Sequence, residues 1–377
     1  MTATILVVTT VHDPDDTRIR ERLIRCLSPD FDVHYAARLP GPTDTEGLRF
    51  LPLAGGRIAR NLRAVGVLLR RGWDVAIVHD PELVPSAIIA RIVRRHPVVF
   101  DVHEDLVAQV TAKDWIPGWG RPLARAVGRF VYWLAEKMLV LTLAEAGYAR
   151  LFAEEHVVFP NYPYLASSAE LEESGDGLAV YVGDVKEARG LGEAVIATSR
   201  AGVRFEIVGR ASSEYIEELS ALATEHGGEV AFLGSLANPD AMRVVAAASV
   251  GLSPLRALPN YMHSLPTKVI EYLAMGIPVV ASDLPGTRES IAALDAVTLT
   301  PPGDVDAMAR AISSSIGPAV KKAALEQAPV IRRRFSWPAD EVRQFYRGLA
   351  GEEPEPPGDV HDRQGRGDPP EGSLPSQ

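Results

Sequence analysis

The chain has 377 residues, 46% of them hydrophobic and 23% charged, with a formal net charge of −10. That length suits two globular domains better than one, and the acidic total argues against general nucleic-acid binding. Cys26 is the single cysteine, which excludes a disulfide framework or a cysteine zinc cluster and fits a reducing compartment.

The first apolar run, Ile5 to Val8, is too short for a signal peptide and is soon followed by His12-Asp13. No stretch approaches the roughly 18 apolar residues needed to span a bilayer. The best candidate, Phe130 to Leu143, is interrupted by Glu136 and Lys137. The expected location is the cytoplasm. Charge is uneven: residues 1–165 carry 20 Lys/Arg and 19 Asp/Glu, and the remainder carry 19 and 30.

Apolar, β-rich runs alternate with helical patterns along the chain. In the first half, strands are expected at Thr4–Thr9, Phe31–Ala36, Val75–His79, Val98–Val102 and Met138–Leu143. Helices are expected at Arg18–Leu27, Ile58–Arg71, Leu83–Arg94 and Arg121–Ala135. In the second half, strands are expected at Leu178–Val182, Arg204–Val208, Val230–Leu233, Val250–Ser253, Val279–Ala281 and Val297–Leu299, again with helices between. Such alternation argues for an α/β fold with parallel sheets covered on both faces. Two series imply two doubly wound, Rossmann-like domains, at 1–165 and 178–336. The small, polar and acidic run from Asn161 to Gly177 reads as linker, placed at 166–177. Pro338 to Leu349 reads as a terminal helix whose stripe of Val342, Phe345, Tyr346 and Leu349 is a docking face. The Pro/Gly/Glu-rich tail, 350–377, buries too little to fold.

Polar clusters follow three strands of the first half. They are His12-Asp13-Pro14-Asp15-Asp16-Thr17-Arg18, His79-Asp80-Pro81-Glu82 and Asp101-Val102-His103-Glu104-Asp105. Dense histidines and carboxylates at strand ends suit a substrate site. The candidates are His12, Asp16, Arg18, His79, Asp80, His103 and Glu104. For Asp16 and Arg18 the simpler reading is helix capping and a local ion pair, which can hold alongside a ligand role. His79 and His103 also read as strand-end histidines satisfied by a carbonyl, although Glu104 and Asp105 could tune His103. Metal binding is the competing idea, but no HExxH or DxD-type spacing supports it.

Two helical patterns are basic. Ile58 to Arg71 carries Arg60, Arg63, Arg70 and Arg71 with no acid. Arg121 to Ala135 carries Arg121, Arg125 and Arg129, with Trp115, Trp119, Tyr132 and Trp133 near. Basic, aromatic helices can lie on anionic membrane interfaces; the simpler reading is a core face and a solvated face.

In the second half a glycine follows each of three strands: Gly183, Gly209 and Gly234. Gly183-Asp184 leads to Lys186 and Arg189-Gly190, and Gly209 is followed by Arg210. Glycines there let a ligand meet the backbone at the sheet edge. The segment from Ser264 to Ser290 then reads as cap, helix, turn, strand and loop. Ser264 is the expected cap, with Pro266 in the first turn, and Lys268 and Glu271 share one side of the helix. Gly276 and Pro278 end it. A polar helix start at strand carboxyl ends suits an anion, and Glu271 one turn in suits a ribose diol.

Together these motifs resemble the retaining glycosyltransferases of the GT-B class, family 4, over about residues 1–349. HDPEL at His79–Leu83, DVHED at Asp101–Asp105 and DDTRIRER at Asp15–Arg22 look like the acceptor domain of bacterial members acting on cell-surface polysaccharides. The resemblance implies two domains facing a cleft and a helix at 337–349 crossing back to the first domain. It implies donor contacts from Gly183, Arg189, Gly190, Gly209, Arg210, Gly234, Pro266, Thr267, Lys268 and Glu271, with Glu289, in the loop after the motif, at the sugar end. Glu271 matches the second glutamate of an E-x7-E motif that holds ribose. Arg189 matches the basic residue facing the diphosphate, and His103 the histidine near the reacting sugar.

Three positions depart from the family pattern. His263 stands where the first motif glutamate is usual, VHDPDDTR replaces a glycine-rich loop, and Asp184 replaces an arginine.

The implied reaction moves a hexose-like sugar from a nucleoside-diphosphate sugar to a hydroxyl acceptor with retention. It needs neither cofactor nor metal, because Arg189, Lys268 and the helix start would stabilise the leaving diphosphate. The acceptor is a glycan, a lipid-linked molecule or a small metabolite, with peripheral contact at the inner membrane face through the basic helices. A sugar-nucleotide 2-epimerase of the same architecture and a non-catalytic sugar-nucleotide-binding paralogue are the alternatives.

Overall fold

The computed structural model describes residues 2–42, 44, 47–103, 105–107, 118–165, 177–236, 238–259 and 261–352. The first sheet contains β1 (Thr4–Val8), β2 (Asp32–Arg38), β3 (Arg49–Leu53), β4 (Val75–Val78), β5 (Val98–Val102), β6 (Val140–Leu143) and β7 (Val157–Val158). Their order is β3-β2-β1-β4-β5-β6-β7, and every pairing is parallel. The second sheet contains β8 (Leu178–Val182), β9 (Arg204–Val208), β10 (Val230–Gly234), β11 (Val250–Ser253), β12 (Val279–Ser282) and β13 (Val297–Thr300). Its order is β10-β9-β8-β11-β12-β13, also parallel. Two doubly wound domains, each on one parallel sheet, are what the GT-B resemblance implies.

Most expected strands fall within two residues of their observed bounds. Central strands such as Val75–Val78 are buried on both faces and read as unbroken apolar runs. β3 and β7 escaped the sequence reading. β3 is an edge strand, half exposed and interrupted by Pro52, which only an edge tolerates. β7 has two residues, too few for any periodicity.

The first helix, α1, opens as a π-helix at Thr17–Ile24 and ends as an α-turn at Arg25–Leu27. It is followed by α2 (Arg57–Leu69), α3 (Val84–Arg94) and α4 (Arg121–Met138). In the second domain come α5 (Leu191–Ala201), α6 (Ser213–Glu225), α7 (Asn238–Ala246), α8 (Thr267–Ala274), α9 (Pro285–Ile291), α10 (Val305–Ser315) and α11 (Pro318–Arg334). The last helix is α12 (Ala339–Ala350).

Two cores flank the first sheet. On one side Ala64, Leu68, Ala87, Ala90, Tyr132 and Ala135 bring α2, α3 and α4 onto it. On the other, Ile19, Leu23 and Leu27 of α1 pack with Trp337, Val342 and Tyr346. The C-terminal helix therefore belongs to the core of the first domain, as its apolar stripe implies. Arg343 and Arg347 fasten it through Asp30, at 3.4 and 3.2 Å. Residues 166–176 of the expected linker and 353–377 of the expected tail lie outside the described residues.

Candidate active site

Each sheet reverses its strand order beside its first strand, between β1 and β4 and between β8 and β11. Ligands of doubly wound sheets bind at carboxyl ends near such a reversal. The expected residues cluster there: His12 follows β1, His79 and Asp80 follow β4, and Gly183 follows β8. The two domains meet across a cleft. Glu145, Asn161 and Tyr162 from the first side, and His263, Gly286 and Glu289 from the second, line a cavity of about 200 Å³.

Asp101, near the carboxyl end of β5, organises the first-domain cluster. Arg18 donates to both its oxygens, from Nε to Oδ2 and from Nη2 to Oδ1, each at 2.8 Å. Arg18 Nη1 donates to Phe159 O, and Thr142 Oγ1 donates to Asp101 Oδ1. His79 is buried behind this pair, with Nδ1 3.2 Å from Asp101 Oδ2. Arg18 and His79, expected to face an acceptor, are thus interior residues. They became so because an arginine on α1 needs a deep counter-charge once its helix packs on the sheet.

Asp16 also has a structural duty. Its Oδ1 accepts from the N–H groups of Arg18 and Ile19 and caps α1. Asp80 is buried and accepts from Thr9 Oγ1 and from the Thr10 N–H. His12 and His103 are partly exposed, and they touch: the two Nε2 atoms are 2.9 Å apart. His103 Nδ1 lies 3.1 Å from Asp101 O, so it carries the hydrogen and leaves Nε2 as acceptor. His12 Nε2–H then donates, with Asp80 Oδ1 3.3 Å away. Burial, and then His12, hold the His103 imidazole below its usual value. Glu104 lies outside the described residues.

Ligand atoms of His79, Asp101 and His103 fall within 4.8 Å of one another, as in a metal site. The donor set does not suit a cation. Both Asp101 oxygens are occupied by Arg18, whose fixed positive charge would repel an ion there.

The second-domain loops depend on glycine. A Cβ on Gly190, at φ +71°, would stand 1.9 Å from Pro254 O. On Gly209, at φ +154°, it would stand 1.8 Å from Gly183 O. These approaches bring the loop after β8 against the ends of β9 and β11, at the reversal. Gly183 and Gly234 also have positive φ.

Helix α8 starts at Thr267 with Pro266 as N-cap and no side-chain cap bond. Ser264, the expected cap, sits two residues too early. Pro266 is extended at ψ 125°, so helical geometry begins only after it. Lys268 is 9% exposed, with Nζ 3.4 Å from the centroid of the Tyr181 ring. Among the described residues it has no carboxylate within ion-pair distance. Burial, and then Arg189, hold its ammonium well below the usual lysine range. Arg189 stacks its Cζ 5.0 Å from the Tyr261 ring centroid, and its buried Nε has no partner among the described residues. Glu271, one turn beyond Lys268, has its carboxyl pushed up by burial. Asp184 is tied to Lys186 at 2.9 Å, and Arg210 is exposed. Glu289 is on α9 rather than in a loop, exposed at the edge of the cavity.

Two family profiles divide the chain between them. One, described as "Glycosyl transferase 4-like domain", matches residues 3–162, and the other, "Glycosyl transferases group 1", matches residues 177–317. The chain belongs to the group 1 glycosyltransferases. The glycosyltransferase is similar to solved structures at low identity. Sucrose-phosphate synthase from Thermosynechococcus elongatus superposes with a TM-score of 0.71 at 17% identity, over 93% of this chain and 99% of that one. Anabaena HepE, in complex with UDP and glucose, gives 0.69 at 17% over 93% and 99%. A glycosyltransferase from Rickettsia africae gives 0.71 at 13% over 93% and 100%. No curated protein matches by sequence.

Three residues of the glycosyltransferase cleft escaped sequence reasoning. Glu145 follows β6 in an unremarkable LAEAG run, yet it lines the cavity without an ion pair among the described residues, and burial pushes its carboxyl up to about 8. Arg22 and Asn161 meet at 2.6 Å across 139 residues of sequence. No local spacing signals either contact.

Proposed function

We propose that this glycosyltransferase moves a hexose-like sugar from a nucleoside-diphosphate sugar to a hydroxyl acceptor, with anomeric retention and without a metal. The observation that carries this reading is Lys268. An ammonium buried without a counter-ion is costly, and its natural complement is an anionic ligand. It lies beside Gly183, where even a Cβ would come within 2.8 Å of Nζ, so an anion can approach both lysine and backbone. Arg189 and the start of α8 add positive potential from the same side.

In the transfer, the bond between the anomeric carbon and the phosphate oxygen breaks while the acceptor oxygen bonds to that carbon. Lys268 and Arg189 stabilise the charge gained by the diphosphate. The leaving phosphate oxygen takes the acceptor proton on the same face, so no protein nucleophile is required. Glu271 accepts from the ribose hydroxyls, and His103, steadied by His12, lies on the acceptor side. The HepE complexes with UDP and UDP-glucose support a UDP-sugar among the candidate donors. A role in polysaccharide or glycoconjugate synthesis is part of the proposal.

Peripheral membrane contact belongs to the same reading. The outward sides of α2, α3 and α4 expose Ile58, Leu62, Ile89, Ile92, Val93, Leu123, Val127, Phe130 and Trp133, with Trp119 84% exposed beside them. α2 and α3 carry arginines and no acid, and Glu136, the acid of α4, is bound to His156. Arg60 and Arg63 donate to the carbonyls of Thr10 and Ala54, which leaves Arg121, Arg125 and Arg129 as the better lipid contacts. No described helix is long and apolar enough to cross a membrane. The acceptor is then a glycan, lipid-linked or small hydroxyl compound.

The test is a thermal-shift screen against UDP-, GDP-, ADP- and TDP-sugars, followed by product analysis with and without acceptor. A donor that stabilises the protein and yields an α-linked product from an α-linked donor supports transfer with retention. Epimerised nucleotide sugar formed without acceptor would instead identify a 2-epimerase. Binding without turnover on any acceptor would identify a non-catalytic paralogue.

A further inference from the structure

Arg22 is the least explained cation of the cleft. It lies on the π-helical part of α1, and its side chain is buried. Nη1 donates to Asn161 Oδ1 at 2.6 Å. Among the described residues, its guanidinium makes no other hydrogen bond and no ion pair. Its neighbour Arg18 is neutralised by Asp101. Burial, and then Arg18, push the Arg22 pKa down to about 10, the mark of a charge short of anions.

The donor side lies directly across. The Asn161 backbone O accepts from Thr267 Oγ1 at 3.2 Å, so a single residue, Asn161, links Arg22 through its side chain to the first residue of α8 through its carbonyl. Lys268 follows Thr267, and Glu271 lies one turn on, where Arg22 and Lys268 are the two cations that act on its carboxyl. The cleft thus gathers Arg22 and Lys268 at the carboxyl of Glu271, with Arg189 acting on Lys268. Asp184 occupies the position where the family pattern places an arginine, so the second domain is one cation short of that pattern.

We infer that Arg22, from the first domain, supplies the missing cation and binds a phosphate of the nucleoside diphosphate when the two domains hold it. The fork of a guanidinium suits two phosphate oxygens, and Asn161 holds it at the cleft. The inference rests on the function proposed above and extends it to a residue of the opposite domain. It also gives the π-helix a purpose. The widened turn aims Arg18 at Asp101 and Arg22 at the cleft from one helix; π-turns recur at functional sites.

The experiment compares binding of UDP, GDP, ADP and TDP, and of the matching nucleoside, to wild type and to Arg22→Gln, Arg22→Lys and Asn161→Ala. Arg22→Gln is expected to weaken the preferred diphosphate at least tenfold, to leave nucleoside affinity unchanged and to flatten the salt dependence of diphosphate binding. Arg22→Lys should restore part of the loss, and Asn161→Ala should cost less than Arg22→Gln. Equal diphosphate affinity in wild type and Arg22→Gln overturns this inference alone. So does an equal loss of nucleoside and diphosphate, which would make Arg22 a hinge strut. A wild type that binds none of the four diphosphates overturns the proposed function as well. If Arg22→Gln does not fold, wild-type protein answers the question: the diphosphate, but not the nucleoside, should protect Arg22 from phenylglyoxal. Absence of that protection overturns the inference.

Discussion

Arg18 and Asp101 form a buried bidentate pair, Nε to Oδ2 and Nη2 to Oδ1, each at 2.8 Å. The pair underlies the histidine cluster, because the Asp101 carbonyl also orients His103. Burial alone would raise the Asp101 carboxyl, but Arg18 reverses this and holds it well below the usual carboxylate range. Asp101→Asn leaves a buried guanidinium uncompensated and should cost about 3–5 kcal/mol at pH 7. With a depressed folded pKa, the Asp101 contribution is complete above the unfolded value of about 4 and fades as pH falls toward the folded one. Urea unfolding of both proteins at pH 7 and pH 3 checks this. The gap should narrow in acid, and a constant gap contradicts the account.

His103 should matter to turnover more than to donor binding. His103→Ala is expected to lower kcat roughly 100-fold while donor affinity changes little. Its pKa is lowered by burial and by His12, so the ring is neutral at pH 7. Turnover should be flat above about pH 6.5 and fall only below it. A rise in KM with unchanged kcat would remove His103 from the reacting end of the cleft.

Lys268 carries two opposite expectations. Without ligand, burial and Arg189 disfavour its charged form, so Lys268→Met should raise the melting temperature of the free protein. The same substitution should weaken nucleoside-diphosphate binding about tenfold or more, since a charge-assisted hydrogen bond is lost. An arriving diphosphate restores the ammonium, so wild type should take up a proton on binding above its depressed pKa. Calorimetry in two buffers of different ionisation enthalpy measures that proton. Equal uptake by Lys268→Met would assign it elsewhere.

Glu145 predicts a stability slope. Burial raises its carboxyl to about 8 against an unfolded value of 4.5. Between those values the folded protein holds a proton that the unfolded chain has released, so stability falls as pH rises. Glu145→Gln removes that slope. Its advantage over wild type should grow by on the order of 3 to 4 kcal/mol from pH 5 to pH 8. Parallel stability curves would show that the carboxyl is solvated.

The legible parts of the chain share one physical property. Val75–Val78, Val98–Val102 and Leu178–Val182 are buried on both faces, so burial itself wrote unbroken apolar runs. Gly190 and Gly209 were legible because no other residue permits their close approaches. Edge elements such as Arg49–Leu53 were not, since half-exposed strands are under weaker selection for pattern. Within the polar clusters, residue type marked loops that converge at the carboxyl edge of the first sheet, but not which members are buried. Arg18 and His79 turned inward, while His12 and His103 met at the surface.

The sequence by itself determined two doubly wound sheets, a glycine-lined carboxyl edge in the second and a helix start rich in positive potential. These depend on short-range periodicity and backbone freedom. Only the tertiary structure decided which charges are neutralised. Arg18 and Arg22 lie four residues apart on one helix, yet Asp101 neutralises the first and Asn161 merely holds the second. Both partners are remote in sequence, and electrostatic compensation depends on distance in space, which local residue spacing does not encode.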